Sequence, residues 1–211
     1  MKTLICIPCM DQVPALFARS LAMLQKTGDV AIAFEMSSLI YAARDNLAMQ
    51  AIQMEADRAL WIDSDMVFDP DLLVRLSKTM DETKAEIVTG VCYRRRPPYT
   101  PTLFKTLDIN PETKLAKFTE FDEIPKEPFE VEGCGLAACL VDTSVFLDVQ
   151  GKYRAMFEPI GHNGEDSAFC WRARQCGNRI IADPGPSIGH CGQTIITGDI
   201  WQAYKEAKGG K

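Results

Sequence analysis

Two aspartates one residue apart, Asp63 and Asp65, end the run Leu60-Trp61-Ile62-Asp63-Ser64-Asp65. Carboxylates at that spacing can aim oxygens at one hard divalent cation, Mg²⁺ or Mn²⁺, which in turn neutralises phosphate oxygens. A solvated turn uses the same residues, but few such turns follow a continuous apolar run. Elsewhere, Ala43-Arg44-Asp45-Asn46 places a guanidinium beside an amide. Arg44 there meets either an anion or, more plainly, Asp45 or Glu55. Arg94-Arg95-Arg96 is the one basic run, Glu165-Asp166 pairs two acids, and His190 is one of only two histidines. An acid pair at a helix start serves as a plain cap or as a proton acceptor. A lone histidine is structural or a metal ligand.

The elements that must position these groups follow from apolar periodicity. Residues 3–7 predict a buried strand that Pro8 ends. Asp11 then caps a helix carrying Val13, Leu16, Phe17, Leu21 and Leu24, stopped at Thr27-Gly28-Asp29. Val30 to Phe34 predict a second strand with Glu35 at its exit, followed by a helix through Ala42, Leu47, Ala51 and Met54. Ala59 to Asp63 form the third strand, so the two aspartates lie where it runs out, and Asp69-Pro70 reads as the start of the next helix. In an open α/β sheet, ligands bind beyond the carboxyl ends of the strands. Glu86 to Cys92 predict a fourth strand. The segment Tyr93 to Pro101 holds three arginines and three prolines, which exclude a helix interior or a central strand and make it a surface loop, either a charged excursion or a mobile flap whose Arg94 to Arg96 meet the phosphates of a ligand. Between Thr102 and Glu132, apolar and polar residues alternate around Asn110-Pro111, predicting short antiparallel strands. Gly133-Cys134-Gly135 then leads the strand Leu136 to Val141, and its glycines allow close approach of a ligand or a second backbone. Asp142 caps a short helix, Glu165-Asp166 opens a longer one ended by Cys176-Gly177, and a strand Arg179 to Ala182 precedes the loop before His190.

Bulk properties narrow the classes. A chain of 211 residues, 46% hydrophobic and 25% charged, is sized for one domain with a sizeable core. A net charge of −6 argues against gathering nucleic acid by overall field. The first residues are too short in apolar run for a signal-peptide core, so a cytoplasmic protein is expected. Cys6, Cys92 and Cys139 lie inside apolar runs and read as buried thiols. Cys6-Ile7-Pro8-Cys9 has redox spacing, but its first cysteine lies within a strand and not at a helix start. No cysteine pairing has zinc-ribbon spacing.

Taken together, Trp61-Ile62-Asp63-Ser64-Asp65, Gly164-Glu165-Asp166-Ser167-Ala168-Phe169-Cys170 and Ile188-Gly189-His190-Cys191-Gly192 ahead of Gly198-Asp199 resemble the GT-A fold glycosyltransferases. The likeness is greatest to family-2-type enzymes, among them short phage- or bacterially encoded members, and covers residues 3 to about 200. It implies a Rossmann-like three-layer α/β/α sandwich with a mixed, mostly parallel sheet. It further implies one domain over 1–211, with a nucleotide-binding half at 1–101 and an acceptor-binding half at 102–211. By that resemblance Asp65 and His190 hold Mn²⁺ or Mg²⁺, with Asp63 as a third ligand or a ribose contact. Pro8, Glu35, Arg44, Ser64 and Arg94 face the nucleotide of a UDP- or GDP-sugar. Asp166, beside Glu165, is the general base of an inverting hexosyl transfer. The Ala-Arg-Asn segment of the family is matched only with an inserted residue, and Glu35 lacks the family's usual surroundings.

Partners implied are a nucleotide-sugar donor and an acceptor that is a glycan, lipid-linked sugar, protein or modified nucleobase. A homo-oligomer is left open. Two rivals stand beside this reading. A nucleotidyltransferase of related fold would carry a glycine-rich basic loop after the first strand, where this chain has Pro8-Cys9-Met10-Asp11. A non-catalytic nucleotide-sugar or nucleic-acid binding module would rely chiefly on the arginine run.

Overall fold

A computed structural model describes residues 1–192. Its first half alternates strand and helix: β1 (Lys2–Cys9), α1 (Ala15–Met23), β2 (Asp29–Met36), α2 (Ile40–Gln53), β3 (Arg58–Ile62), β4 (Met66–Phe68), α3 (Leu72–Thr83) and β5 (Ile87–Gly90). The second half is shorter in its pieces: β6 (Leu103–Phe104), β7 (Thr106–Ile109), β8 (Ala116–Thr119), β9 (Phe129–Val131), β10 (Gly133–Cys134), β11 (Ala138–Asp142), α4 (Thr143–Tyr153), α5 (Glu165–Gln175), β12 (Ile180–Asp183) and β13 (Ile188–His190).

Seven strands form the central sheet in the order β2-β1-β3-β11-β5-β12-β9. The pairs β1·β2, β1·β3 and β5·β12 are parallel, whereas β3·β11, β5·β11 and β9·β12 are antiparallel. The sheet is therefore mixed, and the expectation of mostly parallel pairing is corrected. The reason is β11, which enters between β3 and β5 in the opposite direction and converts both junctions. Five strands (β1, β2, β3, β5 and β12) still run the same way, so their carboxyl ends share one edge.

Residues alternate across the sheet as strand geometry requires. Ala59 and Trp61 of β3 join the core beneath α2, α4 and α5, with Leu47, Phe146, Phe157 and Phe169. Leu60 and Ile62 join the opposite core, with Phe17 of α1 and Leu72, Leu73 and Leu76 of α3. Helices on both faces of one sheet make three layers. Among the described residues, no helix is long and apolar enough to cross a membrane.

Several boundaries differ from the sequence reading. β1 runs through Pro8 to Cys9, because β3 pairs with β1 only as far as Cys6 and leaves Pro8 without a partner on the side where its missing N–H would matter. Glu35 consequently lies inside β2 and not beyond it. The first helix starts after Pro14 without a side-chain cap, so Asp11 caps nothing, and Leu16 is exposed while Phe17 and Ser20 are buried. The helix after β4 has Asp71 at its N-cap position, two residues past Asp69, without a side-chain capping hydrogen bond. Asp142 does accept the Ser144 N–H at the start of α4, at 3.0 Å. Gly198-Asp199 lie outside the described residues.

Candidate functional site

The common carboxyl edge carries two charged clusters that meet at the end of β3. In the first, Arg44 projects from α2, only 2% exposed, with its guanidinium 5.5 Å from the Trp61 ring centroid. Its Nη2 donates to Asp63 Oδ1 at 2.9 Å and its Nε to Glu165 Oε1 at 3.3 Å. Burial alone lowers the guanidinium pKa, but the charges of Asp63, Glu165 and Asp166 reverse that and raise it, keeping Arg44 cationic. Its Nη1 is buried with no hydrogen-bond partner among the described residues. Beneath it, Trp61, Phe146, Phe157 and Phe169 pack ring to ring, with centroids 4.5 Å apart for the stacked Phe157–Phe169 pair. Asp45, next to Arg44, does not pair with it but accepts the Phe157 N–H at 3.1 Å, tying α2 to the segment that leads into α5.

Asp166 follows Glu165 in the first turn of α5. Its Oδ1 accepts the Ser167 N–H at 2.7 Å. The other oxygen lies toward Gly135, where the backbone packs closely: a Cβ placed on Gly135 would lie 3.7 Å from Asp166 Oδ2 and only 3.1 Å from Thr102 Oγ1. Burial first, and the charge of Glu165 second, push the Asp166 carboxyl above the ordinary aspartate range.

The second cluster surrounds Asp65 and depends on a strand pair that the sequence reading does not contain. Strand β4 begins directly after Asp65 and pairs antiparallel with β13, setting His190 opposite Met66. That register brings His190 Nε2 to 3.1 Å from Asp65 Oδ2, across 125 positions of sequence. The Cys191 N–H donates to the Asp65 carbonyl at 2.8 Å. His190 Nδ1 lies 2.8 Å from the Tyr93 carbonyl, which can only accept, so Nδ1 carries the proton. The Nε2 lone pair of such a neutral ring would face a carboxylate oxygen. A second proton on Nε2, or a cation shared by the two groups, resolves that contact.

Arg95 reaches the same oxygen, with Nη1 2.7 Å from Asp65 Oδ2. Its loop is a closed excursion: Tyr93 bridges Pro101, the Arg94 N–H donates to the Thr100 carbonyl, and Thr102 donates back to Cys92. Arg94, expected at the nucleotide, pairs with Glu120 at 2.7 Å. Two clefts share Asp65. One of about 260 Å³ is lined by Pro8, Ser37, Ser38, Ile40, Asp63 and Ser64 besides Asp65, and one of about 860 Å³ by Pro14, Leu16, Arg95, Arg96 and Cys191. Glu35 stands near the smaller cleft and accepts from Asn46 Nδ2 at 2.8 Å.

The expected three-donor metal set of Asp63, Asp65 and His190 is not gathered: Asp63 turns to Arg44, and among the described residues no group of three or more His, Cys, Asp or Glu side chains is placed to hold an ion. The pair that does meet nevertheless suits a divalent cation. A histidine that donates one ring N–H to a backbone carbonyl and presents the other nitrogen beside a carboxylate has the outer-shell support usual for metal ligands. The remaining positions on Mn²⁺ or Mg²⁺ are ones that phosphate oxygens and water normally fill. Cys6 and Cys9 lie three residues apart on the extended strand β1 and so point to opposite faces of the sheet, which keeps the two thiols apart; burial also pushes both thiols up. All eight cysteines are free.

No protein-family model matches the chain, and no curated protein matches it. Solved structures do. The crystal structure of A197 from STIV superposes with a TM-score of 0.62 at 18% identity, over 90% of this chain and 86% of that one. The crystal structure of GalNAc-T7 with UDP, GalNAc and Mn2+ superposes with a TM-score of 0.61 at 10% identity, over 92% of this chain and 44% of that one. The fold is GT-A-like. Likeness at such identities speaks for architecture alone, and the chain spans less than half the length of GalNAc-T7.

Within that architecture, sequence reasoning missed Arg95 as the arginine on Asp65, the Tyr93 carbonyl behind His190, and Gly135 with Thr102 beside Asp166. The glycine was the one legible signal, because its lack of a side chain at a strand start marks a close approach.

Proposed function

We propose that the chain is a glycosyltransferase of the family-2 type, moving a sugar from a UDP- or GDP-sugar to an acceptor hydroxyl. One observation carries the reading: acids from distant parts of the chain, Asp63 and Glu165, share the buried Arg44 at the edge where Asp65 meets His190. In this assignment residues 1–101 bind the nucleotide and 102–211 the acceptor. Pro8 and Ser64 line the nucleotide cleft, with Glu35 near the base and Asp63 near the ribose. Asp65 and His190 would hold Mn²⁺ or Mg²⁺, which when bound neutralises charge developing on the departing diphosphate.

The protein's own groups supply the rest. Asp166 takes the proton from the acceptor hydroxyl as that oxygen bonds to the anomeric carbon and the bond to the diphosphate breaks. A carboxyl held above the ordinary aspartate range is a stronger base for this task than a solvated one. Its Oδ2 lies toward Gly135 and Thr102, and the acceptor is assigned to that side. Glu165, fastened by Arg44, is a positioning residue that keeps the start of α5 in register with Asp63. Inversion at the anomeric carbon follows from direct displacement.

The test is to incubate the full chain with a panel of nucleotide sugars and Mn²⁺, following free sugar and nucleoside diphosphate. Slow hydrolysis without acceptor is expected, and acceptor screening by mass shift then identifies the product. Asp65→Ala should lose metal-dependent donor binding, whereas Asp166→Asn should bind donor and fail to transfer. Normal transfer by Asp166→Asn removes it as the base. Pyrophosphate release from a nucleoside triphosphate and a sugar phosphate would mark a nucleotidyltransferase instead, and donor binding without turnover a binding module.

A further inference from the structure

Asp65 Oδ2 already has a cationic partner. The Arg95 guanidinium sits on it at 2.7 Å, beside the 3.1 Å contact from His190 Nε2, so it occupies ground that an ion shared by these two residues would need. A bound divalent ion and a guanidinium on the same carboxylate oxygen repel one another. Arg95 is also free to leave. Its side chain is 53% exposed, and the contact is a solvated ion pair of small intrinsic worth. The loop that carries it is held by other bonds: Arg94 to Glu120, the Arg94 N–H to Thr100, and the Tyr93 carbonyl to His190. Swinging Arg95 away therefore need not open the loop. A guanidinium released from a carboxylate finds a matching planar, bidentate partner in phosphate oxygens.

We propose that Arg95 is an exchangeable counter-cation: it neutralises Asp65 in the nucleotide-free protein and passes to the diphosphate when a nucleoside diphosphate arrives, opening Asp65 and His190 to the divalent ion. Ion and diphosphate then bind with positive coupling, and linkage makes that coupling reciprocal. The proposal rests on the nucleotide-sugar reading for its second ligand, but its first half concerns the ion alone.

The experiment is titration of the full chain with Mn²⁺, following free Mn²⁺ by electron paramagnetic resonance, in the absence and presence of UDP, with the protein-free Mn²⁺–UDP signal subtracted. Arg95→Ala should bind Mn²⁺ alone roughly two- to five-fold tighter than wild type, the fold-change matching the worth of a partly exposed ion pair. The tightening that UDP brings to wild type should shrink by at least the same factor in the variant. Arg95→Lys should stay near wild type for Mn²⁺ alone, because it keeps the competing charge. Equal Mn²⁺ affinity in wild type and Arg95→Ala, with Asp65→Ala abolishing binding in both, overturns the exchange and leaves the metal site standing. Absence of Mn²⁺ binding in every form, or binding indifferent to Asp65→Ala, removes the metal site and the exchange with it.

Discussion

The two clusters at the sheet edge share a neighbourhood and differ in how they are held. Arg44 is enclosed by helices and a floor of packed aromatic rings, with Glu165 largely covered and Asp63 reaching solvent only in part. Asp65, His190 and Arg95 lie on a two-strand ribbon and a loop, all of them reaching solvent. A buried charge cannot exchange partners without a large cost, whereas an exposed pair exchanges at almost none. The first cluster thus suits fixed geometry between donor and acceptor sides, and the second suits ligand exchange.

The comparison is broken most forcefully at Arg44. Arg44→Ala should cost about 3 kcal/mol, the low end for breaking a buried pair because Asp63 can partly rehydrate, and denaturant unfolding measures it. A loss under about 0.5 kcal/mol would mean that the cluster is not the rigid one. Gly135→Ala should come next, since its methyl would lie 3.1 Å from Thr102 Oγ1 and crowd the space facing Asp166. We expect a stability cost of about 1 kcal/mol and a larger fall in acceptor use than in donor binding, read by KM for each substrate.

Asp166→Asn sharpens the comparison through pH. The native carboxyl is raised by burial and by Glu165, so its contribution to stability is fully present below the ordinary aspartate value and lost as pH rises through the raised one. At pH 7 the ionised group opposes folding, and the amide removes that opposition. Thermal melts should show the variant more stable than wild type at pH 7, with the difference vanishing toward pH 3. The smallest effect belongs to the exposed cluster, where Arg95→Ala should leave the melting temperature within about a degree of wild type. A drop of several degrees would show that the loop depends on this contact.

Much of the framework is legible without coordinates. The strand and helix alternation through α3 follows from apolar runs and their stops, and the placement of Asp63 and Asp65 at a strand end follows from Ala59 to Ile62 being continuously apolar. Less legible was α1, whose apolar residues at helical spacing suggest a broad buried face. Phe17 and Leu24 are buried and Leu21 is partly buried against the same core, whereas Val13 and Leu16 are exposed, because α1 packs chiefly against the short β4. Neither β4 nor β13 announces itself, since three residues carry too little pattern to separate a strand from a turn.

Local order in this protein, then, was settled by the residues themselves: periodicity of 2 or 3.6 acts over a few positions and needs no distant partner. Which charges meet was settled only by the tertiary structure. Arg44 read alone suggests a solvated helix residue, because an isolated buried guanidinium is prohibitively costly. The sheet order and α5 bring it the carboxylates that make burial tolerable. His190 and Asp65 meet for the same kind of reason, through a strand pairing whose register no short stretch of either partner specifies.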